Sequence, residues 1–228
     1  MPRRRRAALG GYVYHALNRA VGRRTLFRKA ADYAAFEAIL REAPGFQPMR
    51  LLGYCLMPNH WHLVVWPKAD GDLSTYLRWV TVTHTQRYHA HYHTAGTGPL
   101  YQGRFKAFPV QDDGHLWTVL RYVERNALRA GLVAAAEAWR WSSLWHRVNG
   151  LADWLAGWPG KRPELGVWRR YVNGVETEAE AMALRRSVAR GAPFGSEAWT
   201  VATAGRLGLE SALRPRGRPR KERPAGME

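Results

Sequence analysis

Residues 50–66 put the tightest limit on the fold. Arg50 to Leu56 and His60 to Trp66 are short, mostly apolar runs separated only by Met57-Pro58-Asn59. Runs of that length bounded by a Pro-Asn turn read as strands. A connection this short joins antiparallel neighbours, because a parallel pair needs a crossover of about a dozen residues. The surrounding segments extend the pattern. Tyr12 to Leu17 alternates as a strand. Ala30 to Ala43 carries Phe36, Ile39, Leu40 and Ala43 at helical spacing, and Pro44-Gly45 is expected to stop it. Leu73 to Arg87 reads as a second helix, Phe105 to Val110 as a fourth strand and His115 to Asn126 as a third helix. The order βαββαβα predicts an α+β fold, a ferredoxin-like antiparallel sheet with helices packed on it.

Four segments are expected: a catalytic-type domain over 1–150, a Trp/Pro/Gly-rich connection over 151–174, a helical extension over 175–213 and a basic tail over 214–228. The extension holds two expected helices, Glu176 to Arg190 and Ser196 to Leu207. The tail is expected to be disordered when unbound.

Charge narrows the partners. With 35 Lys+Arg against 18 Asp+Glu the formal charge is +17. Codon bias towards Arg explains some of that excess, and a polyanionic partner, nucleic acid above all, explains more of it. Cys55 is the only cysteine, so no disulfide framework or Cys-based zinc site is available. No apolar run approaches a membrane span, and Arg3 to Arg6 precede too short an apolar stretch for a signal peptide. The expectation is a cytoplasmic, nucleoid-associated protein without a membrane partner.

Chemistry concentrates at two places. Strand side chains alternate, so His60 and His62 share one face while Trp61, Leu63 and Val65 take the other. Two imidazoles on one face can chelate a divalent cation, although ordinary hydrogen-bonded histidines are the commoner cause of such a pair. On the third helix Leu116, Val119, Leu120 and Val123 form an apolar stripe. Tyr122 and Asn126 pair at i, i+4 on its flank, with Arg121 and Arg125 opposite. His84, His89, His91 and His93 also cluster, without a carboxylate or cysteine, and read as surface or phosphate-contacting residues.

Met57-Pro58-Asn59-His60-Trp61-His62, followed by Tyr122-Val123-Glu124-Arg125-Asn126-Ala127-Leu128-Arg129-Ala130-Gly131-Leu132-Val133, resembles the HUH single-tyrosine transposases, and within them the REP-associated tyrosine transposases. Tyr14 to Arg19, Tyr101 to Lys106 and Trp139 to Ser143 match further family segments in order. The resemblance covers about residues 10 to 150 and implies the HUH endonuclease fold. It implies that His60, His62 and Asn126 hold Mg²⁺ or Mn²⁺ and that Tyr122 attacks a phosphate of single-stranded DNA. The product is a 5′-phosphotyrosine, which a 3′-OH later resolves. Family members typically read a hairpin with a single-stranded foot. The sequence departs from the family where Ala127 replaces the usual proline, and Ala allows the helix to run on. Tyr101 stands where Trp is usual.

Aromatic and basic residues together suit single strands, so Asn18, Arg19, Tyr101, Gln102, Arg104 and Lys106 are the expected DNA contacts. Arg216 and Arg218, in Arg-Gly-Arg-Pro, resemble an AT-hook for A·T-rich duplex. Monomer and homodimer are both compatible with the sequence. The competing function is a non-catalytic, hairpin-specific DNA-binding regulator.

Overall fold

The computed structural model describes residues 8–160 and 163–214. Arg216, Arg218 and the arginines at 3–6 lie outside the described residues. Four strands, β1 (Val13–Arg19), β2 (Arg50–Met57), β3 (His60–Trp66) and β4 (Lys106–Val110), form one sheet in the order β2-β3-β1-β4. Every neighbouring pair is antiparallel. The expected α+β arrangement is therefore present.

The pleat sorts the side chains into two cores. Trp61, Leu63, Val65, Tyr14 and Ala16 face α1 (Ala30–Phe46) and α2 (Asp72–Tyr92), which supply Phe36, Ile39, Leu40, Leu73, Leu77 and Val80. Val13, Val64, Cys55 and Phe108 face α3 (Gly114–Glu124), which supplies Leu116, Val119, Leu120 and Val123. At Gly53 a Cβ would sit 2.8 Å from Leu120 Cδ2, so glycine here lets α3 settle directly on β2.

Three helix ends differ from expectation. Pro44 and Gly45 lie inside α1, in its last turn, where the missing amide costs one hydrogen bond and Gln47 N–H still reaches Ala43 O. α2 runs to Tyr92 and takes His89 and His91 into its last turn, closing at His93 in left-handed backbone. α3 ends at Glu124, but Arg125 stays near helical angles (φ −82°, ψ −6°) and α4 (Asn126–Arg129) follows directly. The i to i−4 bonds continue through the join, from Arg125 N–H to Arg121 O and from Arg129 N–H to Arg125 O. The chain does run on past Asn126, as Ala127 allows.

After α5 (Ser143–Val148), the segment expected to be a bare connection contains a helix, α6 (Leu165–Asn173). Trp158, Trp168 and Val172 are buried in the α3 core. α7 (Glu178–Arg190), α8 (Glu197–Leu207) and α9 (Glu210–Leu213) follow. This packing covers the side of α3 opposite its apolar stripe, where Arg121 stands. Its guanidinium is buried, 2.7 Å from Glu180 Oε2 and stacked 4.4 Å from the Tyr171 ring. Arg125 likewise donates to the carbonyls of Val172 and Asn173.

His84 is buried rather than on the surface, packed on Phe27 and Phe36, with Nδ1 2.6 Å from the Tyr101 hydroxyl. Burial pushes its pKa down to about 3, with Asp32 pulling weakly upward. Between that value and the ordinary ~6.5 of the unfolded chain, the unfolded state binds the extra proton, so stability rises with pH. The thermal midpoint is expected to be level above about pH 7 and to fall as the pH drops towards 4. Calorimetry across that range should show a shallower fall for His84→Gln.

Candidate metal and nucleophile site

The β1–β3 register sets Leu17 opposite His62 and Arg19 opposite His60. His60 and His62 therefore stand on the α3 face at the end of the two central strands, ring centroids 4.9 Å apart. α3 lays Tyr122 over them, with its ring 6.0 Å from that of His62. Leu17, Arg19, Met57, His60, His62, Tyr122, Asn126 and Arg129 thus surround one pocket of about 260 Å³. The four residues chosen from sequence for metal and nucleophile converge there.

Hydrogen bonds orient the imidazoles. Asn59 Nδ2 donates to Arg23 O, which turns Asn59 Oδ1 towards His60; His60 Nδ1–H donates to it at 2.6 Å. His62 Nδ1 is 2.8 Å from His15 Nε2, and the two rings stack 5.0 Å apart at 5°. When His62 Nδ1–H donates to His15, Nε2 of both His60 and His62 is a lone pair without a partner among the described residues. Burial pushes His60 down to about 4, with Arg19 and Arg129 adding to the shift. His62 is held well below its ordinary value, first by burial and then by its neighbours. Both rings are neutral at pH 7, the form that binds a metal.

Asn126 is less free. Its Nδ2 donates to Tyr122 O at 3.0 Å, and its Oδ1 accepts from Arg129 at 2.6 Å. Among the described residues no group of three His, Cys, Asp or Glu converges to hold a metal. Two imidazole nitrogens and an amide oxygen nonetheless fit a divalent cation if Arg129 yields the amide, and nitrogen ligands favour Mn²⁺ over Mg²⁺.

Two residues here were not singled out from sequence. His15, fully buried, touches His62, Tyr122 and Phe108. Its signal was its place on the Val13–His15–Leu17–Arg19 side of β1, which meets the histidine side of β3. Arg129 stacks its guanidinium 4.1 Å over the Tyr122 ring, and lies at i+7 from Tyr122 and i+3 from Asn126. It sets a cation beside Tyr122 and near Glu176, 3.9 Å away.

The expected DNA contacts separate into two groups. Asn18, Arg19, Gln102, Arg104 and Lys106 line one depression of about 370 Å³ at the start of β4. Asn18 ties the segment down by donating to Gly103 O. Tyr101 does not present a face for stacking. It is buried and bridged to Ala20, its hydroxyl accepting from Trp61 Nε1–H (3.0 Å) and hydrogen-bonded with His84 Nδ1 (2.6 Å). The histidines of α2 do not form a second site. His89 is bonded to Thr94 and His91 to Lys29.

The IS200-like transposase family model matches residues 9–126, which takes in His60, His62, Tyr122 and Asn126 and leaves the chain from Ala127 onward outside. Seven chains of solved structures match. One is a REP-associated tyrosine transposase bound to a REP hairpin. It is 21% identical, with a TM-score of 0.53, over 72% of this chain and 99% of that one. At that identity the match bears on the fold. No curated protein matches. Among the described residues no helix is long and apolar enough to cross a membrane.

Proposed function

Because the chain belongs to the IS200-like transposase family, we propose that it cuts single-stranded DNA beside a hairpin through Tyr122 and rejoins the ends. The observation that carries this reading is the convergence of Tyr122 with the neutral, paired imidazoles of His60 and His62 in one pocket. The phenol oxygen attacks the scissile phosphorus. As the phenol gives up its proton, the bond to the 3′-oxygen breaks, a proton is delivered to that oxygen so that none is gained or lost overall, and the 5′-phosphate stays on Tyr122. Attack by another 3′-OH reverses the step on a new strand, so no nucleotide triphosphate is consumed.

His60 and His62, with Asn126 once released from Arg129, would hold the divalent ion. Such an ion supplies charge withdrawal from a non-bridging phosphate oxygen and fixes it for in-line attack. Arg129 places a permanent positive charge against the nucleophile's ring, where the phosphate's charge would otherwise stand alone. Asn18, Arg19, Gln102, Arg104 and Lys106 are proposed to hold the strand, and Arg216 and Arg218 to add affinity for A·T-rich duplex.

His15 is proposed to fix His62 in the metal-binding tautomer. His15→Phe keeps the ring volume and removes the acceptor of His62 Nδ1–H. Mn²⁺ affinity by calorimetry is expected to fall about 10- to 100-fold, the usual cost of losing such a supporting group. A folding readout by circular dichroism should stay unchanged. Unaltered affinity would show that His15 only packs.

A second reading is favoured by one observation. Asn126 Oδ1 is already satisfied by Arg129, which suits a protein that binds hairpins without cutting them. Stem-loops from the DNA flanking the gene, incubated with Mn²⁺ or Mg²⁺ and run on a denaturing gel, separate the two. A slow protein–DNA adduct, absent with chelator, supports cleavage. Tight binding with no adduct supports the second reading.

A further inference from the structure

A second concavity lies away from the Tyr122 pocket, on the other helix layer. A groove of about 840 Å³ runs between α2 and residues 99–105. That is within the roughly 300–1,000 Å³ of sites that enclose small organic groups. Its floor is apolar, from Leu100 and Phe105, and its α2 wall offers Val82, 48% exposed. Thr81 and Thr85 also line it. Each spends its hydroxyl proton on a helix carbonyl, which leaves its oxygen as an acceptor. Arg78 and Arg104 flank the groove, both exposed, and among the described residues neither guanidinium has an ion-pair or hydrogen-bond partner.

The groove is not isolated. Asn18, Gly103 and Arg104 line both it and the 370 Å³ depression at the start of β4. Leu17, Arg19 and Val188 line both that depression and the pocket holding Tyr122. The three concavities therefore form a chain, the trough, that rounds the end of the sheet from α2 to Tyr122, each sharing lining residues with the next. Among the described residues no Asp or Glu lines any part of it, while Arg78, Arg104, Lys106, Arg19 and Arg129 are spaced along its length.

We propose that the groove between α2 and residues 99–105 seats an unpaired nucleobase of the bound DNA, and that the trough carries the backbone from that base to Tyr122. This rests on the single-strand reading above and adds a place where one base is held. The charge pattern selects the occupant. A run of cations without a carboxylate suits a chain of phosphates and would repel nothing along it. An apolar slot rimmed by hydroxyl oxygens and an amide suits a base, whose faces are apolar and whose edges donate and accept. A purely apolar peptide would leave Arg78 and Arg104 without counter-charge. Anchoring one base at a fixed distance along the strand would set which phosphate arrives at Tyr122.

The test uses the full chain and a labelled stem-loop with an unpaired foot, remade with a base-free sugar at each foot position in turn. Binding is read by fluorescence anisotropy, without added metal. One position is expected to lose about ten-fold in affinity, the scale of one stacked base. Val82→Trp, which fills the groove from an exposed helix position, is expected to weaken the intact oligonucleotide to the same degree and to make it indifferent to that base-free sugar. Arg78→Gln should weaken intact and base-free oligonucleotides about equally. Binding that ignores every base-free position, or Val82→Trp leaving that dependence intact, would overturn the groove assignment while sparing the single-strand reading. No binding to any stem-loop would overturn both.

Discussion

Tyr122→Phe is expected to abolish the covalent adduct, by at least about a thousand-fold, while DNA binding stays within about two-fold. Removing a nucleophile costs losses of that size because nothing else can form the bond. The structure makes the variant clean. The Tyr122 ring is held edge-on to His15 and His62, at 6.1 and 6.0 Å, and under Arg129 at 4.1 Å. Phe keeps every one of those ring contacts. The hydroxyl has no hydrogen-bond partner among the described residues, so its removal leaves no buried group unsatisfied. The melting temperature should therefore be unchanged, and a lost adduct would report chemistry rather than unfolding. An adduct that survives in Tyr122→Phe would mean that another group attacks.

Two simple periods placed His60, His62, Tyr122 and Asn126 on facing surfaces, while their roles as metal ligands and nucleophile came only from the resemblance. The alternation of strand residues put His60 and His62 on one side, and they do share the α3 face. The helical period put Tyr122 and Asn126 on a flank that meets the sheet, and both line the pocket. What escaped depended on contacts between distant segments. His15 became visible only with the β1–β3 register, since nothing in Tyr14-His15-Ala16 marks it. Tyr101 stands next to Gln102, Gly103 and Arg104, all exposed, and shares their look of a surface loop. It is the hydrogen bonds from Trp61 and His84, on two other elements, that hold it inside. Arg121 lies opposite the apolar stripe of its helix, and nothing in that period marks it as buried. Its cover arrives from Tyr171 and Glu180, some fifty residues later in the chain. Periodicity reports which way a residue points on its own element and is silent about what later folds over it.

That cover leads to the other large effect. Trp168→Ala is expected to destabilise the protein by about 3–5 kcal/mol, the usual range for emptying a buried aromatic site. Trp168 is 2% exposed and packs against Trp117 of α3 and against Trp158. Its Nε1–H donates to Glu124 Oε2 at 2.7 Å, while Ser143 donates to the other oxygen at 2.6 Å. Burial pushes the Glu124 carboxyl up, so loss of the indole donor leaves a fully buried oxygen without its partner, adding to the cavity cost. Glu124 is two residues after Tyr122. The same helix is gripped by Glu180 at Arg121 and by the Val172 and Asn173 carbonyls at Arg125. α6 and α7 thus hold the back of the nucleophile helix, and Val188 of α7 reaches the pocket itself. The expected result by urea unfolding is a lower midpoint with little change in slope. Adduct formation should fall in Trp168→Ala even at temperatures where circular dichroism shows it folded. Trp168→Phe, which refills part of the volume but not the donor, should recover more stability than adduct formation. If Trp168→Ala loses stability and keeps full adduct yield, residues beyond 150 support the core without setting the angle of Tyr122.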